Sequence, residues 1–157
     1  MTMFKHRVTA SRRSVLRGAS ALVLVPWLPA RAADDPLPAI PALAALLGGR
    51  TPRFERLRMQ VPPLADNGQA VPLKLALSGP FSGGPSVEAL HLFSERNPVP
   101  DMVTFRFPPG LERIEIDTRV RLAGTQRLVA VAAMSDATLY ASVAEVVVTI
   151  AACLDGS

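Results

Sequence analysis

From Leu57 onward the apolar residues of this chain recur with a period of two, in short runs cut off by proline, glycine and aspartate. A period of two fits a pleated strand with one face buried and fits no helix. Ile114, Ile116, Thr118, Val120 and Leu122 alternate with Glu115, Asp117, Arg119 and Arg121 in the cleanest such run. Val71, Leu73, Leu75 and Leu77 alternate in the same way with Pro72, Lys74, Ala76 and Ser78. Leu57, Met59 and Val61 form a shorter run that Pro62-Pro63 ends, and Asp66-Asn67-Gly68 reads as a turn. Val87–Phe93, Met102–Phe107, Leu128–Met134 and Leu139–Ile150 complete the set, with Gly79 to Gly84 read as a hairpin loop. About seven short strands separated by turn signals predict an all-β fold, a β-sandwich of immunoglobulin-like type over residues 51–150. Before it, residues 33–50 read as a Pro- and Ala-rich linker leading to a short helix. There Ala42–Leu47 is the helical run and Gly48-Gly49 stands at its C-cap. A chain of 157 residues has room for one such domain with a single packed core.

The first 32 residues have a different character. Lys5, Arg7, Arg12, Arg13 and Arg17 precede an apolar run from Ala19 to Ala30, and Ala30-Arg31-Ala32 is a small-residue cleavage site. That order is a secretory signal peptide, and its apolar run is too short for a permanent membrane anchor. The stretch Ser11-Arg12-Arg13-Ser14-Val15-Leu16-Arg17 resembles the twin-arginine export signature, in which Arg12 and Arg13 are a receptor-read address. The expected location is the periplasm. The whole chain carries a net charge of +4, but the first 32 residues hold six of the 17 basic residues and none of the 13 acidic ones. Cleavage after Ala32 leaves eleven basic against thirteen acidic groups, a net of −2, which removes the main support for nucleic-acid binding.

The chain has one cysteine, Cys153, in a tail (151–157) of sequence Ala151-Ala152-Cys153-Leu154-Asp155-Gly156-Ser157. An exported protein with one thiol builds no internal disulfide. Small and polar residues after a terminal strand predict a flexible tail that presents this thiol on a tether. Other chemistry is short of groups. His91 sits in an apolar run and, with a distant cysteine, makes neither a four-ligand zinc site nor a ready nucleophile–base pair. Gly79 to Gly84 lacks phosphate-loop spacing. Glu115 and Asp117 read as solvated partners of Arg119 and Arg121. The expectation is therefore a non-enzyme with no metal and no cofactor. A tail thiolate attacks sulfur electrophiles and serves as a covalent handle. The competing reading is an immunoglobulin-like binding or assembly module whose cysteine dimerises or is inert.

One family unites these elements. The twin-arginine leader, the short helix ending in Gly-Gly, Val61-Pro62-Pro63-Leu64-Ala65-Asp66-Asn67-Gly68-Gln69-Ala70-Val71-Pro72-Leu73, Glu95-Arg96-Asn97-Pro98-Val99-Pro100, Phe105-Arg106-Phe107-Pro108-Pro109-Gly110 and the closing Glu145–Ile150 before Ala151-Ala152-Cys153 resemble SoxY, the sulfur carrier of periplasmic thiosulfate oxidation. The resemblance implies covalent sulfur attachment at Cys153 and a swinging arm of Ala151, Ala152, Leu154, Asp155 and Gly156. It implies a heterodimer with a SoxZ-like β-sandwich subunit, exported folded, and transient visits to enzymes like SoxAX, SoxB and sulfane dehydrogenase. The tail departs from the family's Gly-Gly-Cys-Gly-Gly. Ala151, Ala152 and Leu154 make the arm thicker and stiffer, and Asp155 sets a negative charge near an anionic adduct.

Overall fold

A computed structural model describes residues 37–79, 83–111 and 113–152, all within the unit Asp34–Ser157. The signal segment with Arg12 and Arg13, and the residues from Cys153 on, lie outside the described residues. The architecture is a two-sheet sandwich with one helix on its outside. Eight strands occur among the described residues: β1 (Leu57–Gln60), β2 (Leu64–Asn67), β3 (Val71–Leu77), β4 (Val87–Ser94), β5 (Asp101–Arg106), β6 (Ile114–Val120), β7 (Gln126–Met134) and β8 (Leu139–Ile150). Strands β1, β3 and β6 form one sheet in that order, and β2, β8, β7, β4 and β5 form the other.

The alternation read from the sequence becomes the sandwich interior. Val71, Leu73, Leu75 and Leu77 of β3 point inward and meet Leu90 and Leu92 of β4 and Leu128, Ala130 and Ala132 of β7 in one core. Burying each leucine stabilises the fold by about 1.5–3 kcal/mol. The outward residues of the three-stranded sheet include Arg58, Gln60, Lys74, Glu115, Asp117 and Arg119. Its register places Lys74 opposite Asp117, and the two pair at 2.9 Å. Glu115 pairs with Arg113. The expected pairing of these carboxylates with Arg119 and Arg121 is thus corrected: alternation fixes the face, whereas the neighbour is decided through register by a strand distant in the chain.

Strand β7 does not alternate, because both of its faces are covered. Val129 and Val131 face outward, yet are buried beneath the helix α1 (Pro41–Leu47) together with Phe93, Leu139 and Ala141. Pro41 occupies the first helical turn, where its missing N–H costs nothing. Gly48 ends the helix in the left-handed conformation at φ 55°, and its N–H donates to the Ala44 carbonyl. Ile40 and Leu43 fill a second, smaller core on the outside of the five-stranded sheet. Residues 37–47 are therefore part of the domain and not a tether. Leu43, only 2% exposed, is expected to cost about 2–5 kcal/mol when replaced by alanine. A lower urea midpoint with an unchanged denaturant slope is the measurement, and an unchanged midpoint would return this segment to the role of linker.

Two further expectations change. Strand β2 is an addition: the four residues after Pro62-Pro63 pair in parallel with the end of β8, Leu64 opposite Val147 and Asn67 opposite Ile150. The Gly79 to Gly84 segment is no hairpin, since β3 and β4 belong to different sheets and the connection crosses between them. Among the described residues no helix is long and apolar enough to cross a membrane.

Candidate functional site

The structure brings three segments of the sequence together at the end of the sandwich where β8 finishes. The first is Asn67-Gly68. The Asn67 side chain accepts from the Gln69 amide at 2.8 Å, which closes a short 3-10 turn over Gly68–Ala70. Gly68 is buried, and the space for a side chain is absent. A Cβ there would lie 2.3 Å from the Leu122 carbonyl oxygen and 2.9 Å from the Ala152 nitrogen. Only glycine lets the three backbones approach so closely.

The second segment is the loop between β6 and β7, Arg121 to Thr125. Its Leu122 is fully buried. The Leu122 amide donates to the Gly68 carbonyl at 2.8 Å, and the Leu122 carbonyl accepts from the Ala152 amide at 3.0 Å. Thr125 Oγ1 accepts from the Val148 amide at 3.0 Å and ties the same loop to β8.

The third segment is Ser94 to Asn97, the last residue of β4 and the start of the connection to β5. Asn97 Nδ2 donates to the Arg121 carbonyl at 2.8 Å, while Asn97 Oδ1 accepts from the Ala123 amide and from Gln126 Nε2, each at 3.0 Å. Gln126 Nε2 also donates to the Gly124 carbonyl, and Gln126 Oε1 accepts from the Arg96 amide. The Asn97 amide donates to Ser94 Oγ. Beside this group Arg127 grips Glu95 with two guanidinium nitrogens at 2.9 and 3.1 Å. That hydrogen bonding holds the Glu95 carboxyl below the usual carboxylate range, against a smaller opposing effect of desolvation.

The last two described residues, Ala151 and Ala152, lie beside this group. Ala151 is exposed, but Ala152 is only 5% exposed and is fixed to Leu122. The expectation of a flexible tail from residue 151 is therefore shifted at Ala152, which is buried and whose amide finds its acceptor in a loop distant in sequence. Cys153, Leu154, Asp155 and Gly156 lie outside the described residues.

His91 has a structural setting. Its Nδ1 lies 3.0 Å from Thr104 Oγ1, and its ring stacks against Phe93 with centroids 6.1 Å apart. Burial pushes its pKa below the ordinary histidine value, partly opposed by Asp101 and reinforced by Arg106. Among the described residues no cluster of three or more His, Cys, Asp or Glu side chains is placed to hold a metal ion. The contact of Gly68 and Leu122 with Ala152, and the hold of Asn97 and Gln126 on the Leu122 loop, are what sequence reasoning missed. The Asn-Gly and Asn-Pro-Val-Pro motifs were their visible signals.

The family model described as sulfur oxidation protein SoxY matches residues 43–153, a span that takes in α1 from Leu43 on, both sheets, all three segments of the site and the cysteine. Among solved structures, the sulfur carrier protein SoxY from Chlorobium limicola f thiosulfatophilum is 30% identical, with a TM-score of 0.55 over 69% of this chain and 94% of that one. A superoxide reductase (neelaredoxin) from Ignicoccus hospitalis is 15% identical with a TM-score of 0.47, covering 60% of this chain and 80% of that one. No curated protein matches the chain.

Proposed function

The chain belongs to the SoxY family of sulfur oxidation proteins, and on that premise we propose that it is a periplasmic, non-catalytic sulfur carrier with the thiol of Cys153 as the attachment point. The observation that carries this reading is the socket around Ala152. Gly68 and Leu122 meet on the residue immediately before the cysteine, the Leu122 carbonyl accepts from its amide, and Asn97 holds the Leu122 loop from its other side. A domain that needed only a stable core would gain little from so much polar structure where β8 finishes.

The chemistry is a two-electron coupling. The Cys153 thiol and thiosulfate lose one proton and two electrons as a sulfur–sulfur bond forms, leaving a cysteine S-thiosulfonate. The electrons pass to an oxidised haem partner of the SoxAX kind. A SoxB-like hydrolase then adds water across the terminal sulfur–sulfur bond. It releases sulfate and two protons and leaves a cysteine persulfide anion for a sulfane-dehydrogenase-like enzyme. The carrier supplies the thiol and the tether, with no cofactor of its own, and export runs through the twin-arginine pathway read by Arg12 and Arg13.

The stable partner on this reading is a SoxZ-like sandwich subunit. Support for a covered face comes from Leu64 and Val147, cross-strand neighbours on β2 and β8, which are 57% and 46% exposed. The test is the intact mass of the mature protein purified from cells oxidising thiosulfate, taken before and after reductant. The expected spectrum carries additions of sulfur atoms or of S2O3 that reductant removes. An unmodified mass in both samples would overturn the carrier reading.

A further inference from the structure

We infer that Asn97, acting through Gln126 and the β6–β7 loop, is a positioning residue that fixes where the thiol-bearing tail leaves the domain; the inference rests on Cys153 being the carrier thiol. Ser94 and Gln126 are the polar side chains buried among the described residues, fully buried and 3% exposed respectively, and both bond to Asn97. Burying an amide costs free energy unless its donors and acceptors are all met. Here they are: among the described residues no buried side-chain nitrogen or oxygen lacks a partner. A satisfied buried polar network adds little to stability over an apolar core, but it specifies one geometry.

The geometry specified is that of the Arg121–Gly124 backbone. Asn97 takes the Arg121 carbonyl and the Ala123 amide, one on each side of Leu122, and Gln126 takes the Gly124 carbonyl. Between these fixed points the Leu122 carbonyl is aimed at the Ala152 amide. Covalent geometry keeps the Cα of Cys153 about 3.8 Å from that of Ala152. While the latch is closed, the last residue before Cys153 is therefore held at the sandwich end. Opening the latch frees Ala151 and Ala152 and adds about 7 Å of reach. The latch thus sets two anchoring points for the same tail: Ala152 when closed, Ile150 when open.

The experiment uses the full mature chain with a nitroxide attached at Cys153, read by the width of its electron paramagnetic resonance lines. Two variants break the latch in different ways. Asn97→Ala removes the side chain that holds the loop, and Ala152→Pro removes the N–H that Leu122 accepts and sets a ring carbon in its place. Loss of the single Ala152–Leu122 hydrogen bond, direct in Ala152→Pro and through the released loop in Asn97→Ala, shifts an opening equilibrium by roughly 2- to 10-fold. The fast-tumbling fraction of the label is expected to rise by that factor in both variants.

Leu43→Ala supplies the control for a merely structural effect, since it weakens the fold from the opposite side of the five-stranded sheet and should leave the label spectrum as in the wild type. Spectra of Asn97→Ala and Ala152→Pro identical to the wild type, or an equal change in Leu43→Ala, would overturn the inference. Should Asn97→Ala fail to fold, Ala152→Pro alone decides, because its change lies beyond the last strand. Failure of the carrier reading itself is read separately, as an absence of sulfur adducts, and does not move the label spectrum.

Discussion

Cells whose only copy of this protein carries Cys153→Ser are expected to lose the thiosulfate oxidation that depends on it, with no detectable reductant-sensitive adduct on the purified protein. The effect is all-or-none for a chemical reason. A serine hydroxyl copies the size of the thiol but forms no sulfur–sulfur bond, so there is no site on which the S-thiosulfonate could be built. The fold should be unaffected. Among the described residues the two cores run from Ile40 and Leu43 under the helix to Val146 and Val148 at the sandwich end, and a serine is close to cysteine in size. An unchanged thermal midpoint beside lost oxidation is therefore the expected pair of results. If the Ser variant oxidised thiosulfate at the wild-type rate, the cysteine would be no more than a passenger, and the protein would act as a binding module. An equal fall in thermal midpoint would instead assign the loss to folding.

The parts of this design that were legible in the sequence are those governed by local pattern. Strands β3 and β6 declare themselves by strict alternation, and Gly48 marks the helix end by its backbone freedom. Strand β2 gives no such signal. It is four residues long, buries only Ala65, exposes Leu64, and depends on a parallel partner near the far end of the chain. The second core is hidden for a related reason. An apolar run such as Leu128–Met134 says that both faces are covered but not by what, and the cover is a seven-residue helix that reads in isolation as the end of a linker. The socket is harder still. Asn97 is visible as part of Asn-Pro-Val-Pro, but its partners lie 24, 26 and 29 residues further along the chain. Its role exists only once β4, β6 and β7 have brought their ends together. Ala152 is the clearest instance: an alanine past a terminal strand has no pattern to announce burial, and the loop that holds its amide belongs to another part of the chain.

The same convergence makes Gly68 the least replaceable residue of the sandwich end. Gly68→Ala is expected to destabilise the protein by about 2–4 kcal/mol, the sum of a steric conflict and of hydrogen bonds displaced by relieving it. Ordinarily glycine to alanine in an unstrained conformation gains about 0.4–1 kcal/mol by restricting the unfolded chain. Here the added methyl would stand 2.3 Å from the Leu122 oxygen and 2.9 Å from the Ala152 nitrogen, and both are backbone atoms that no rotamer change can move. Something larger must shift. If the Leu122 segment retreats, the Leu122–Gly68 and Ala152–Leu122 hydrogen bonds both lengthen, and a fully buried leucine moves with them. If the 3-10 turn retreats instead, β2 and β3 are pulled apart at their junction. Either response outweighs the entropic gain. Urea denaturation checks the magnitude, with Gln69→Ala at an exposed neighbouring position as the comparison, expected to lie within about 0.5 kcal/mol of the wild type. A Gly68→Ala midpoint equal to that of Gln69→Ala would show that the three backbones do not approach as closely as described. Combining Gly68→Ala with Ala152→Pro sharpens the result. Residues that share a contact do not add, so the double variant should lose less than the two single losses together, the tail root having already been released by either change.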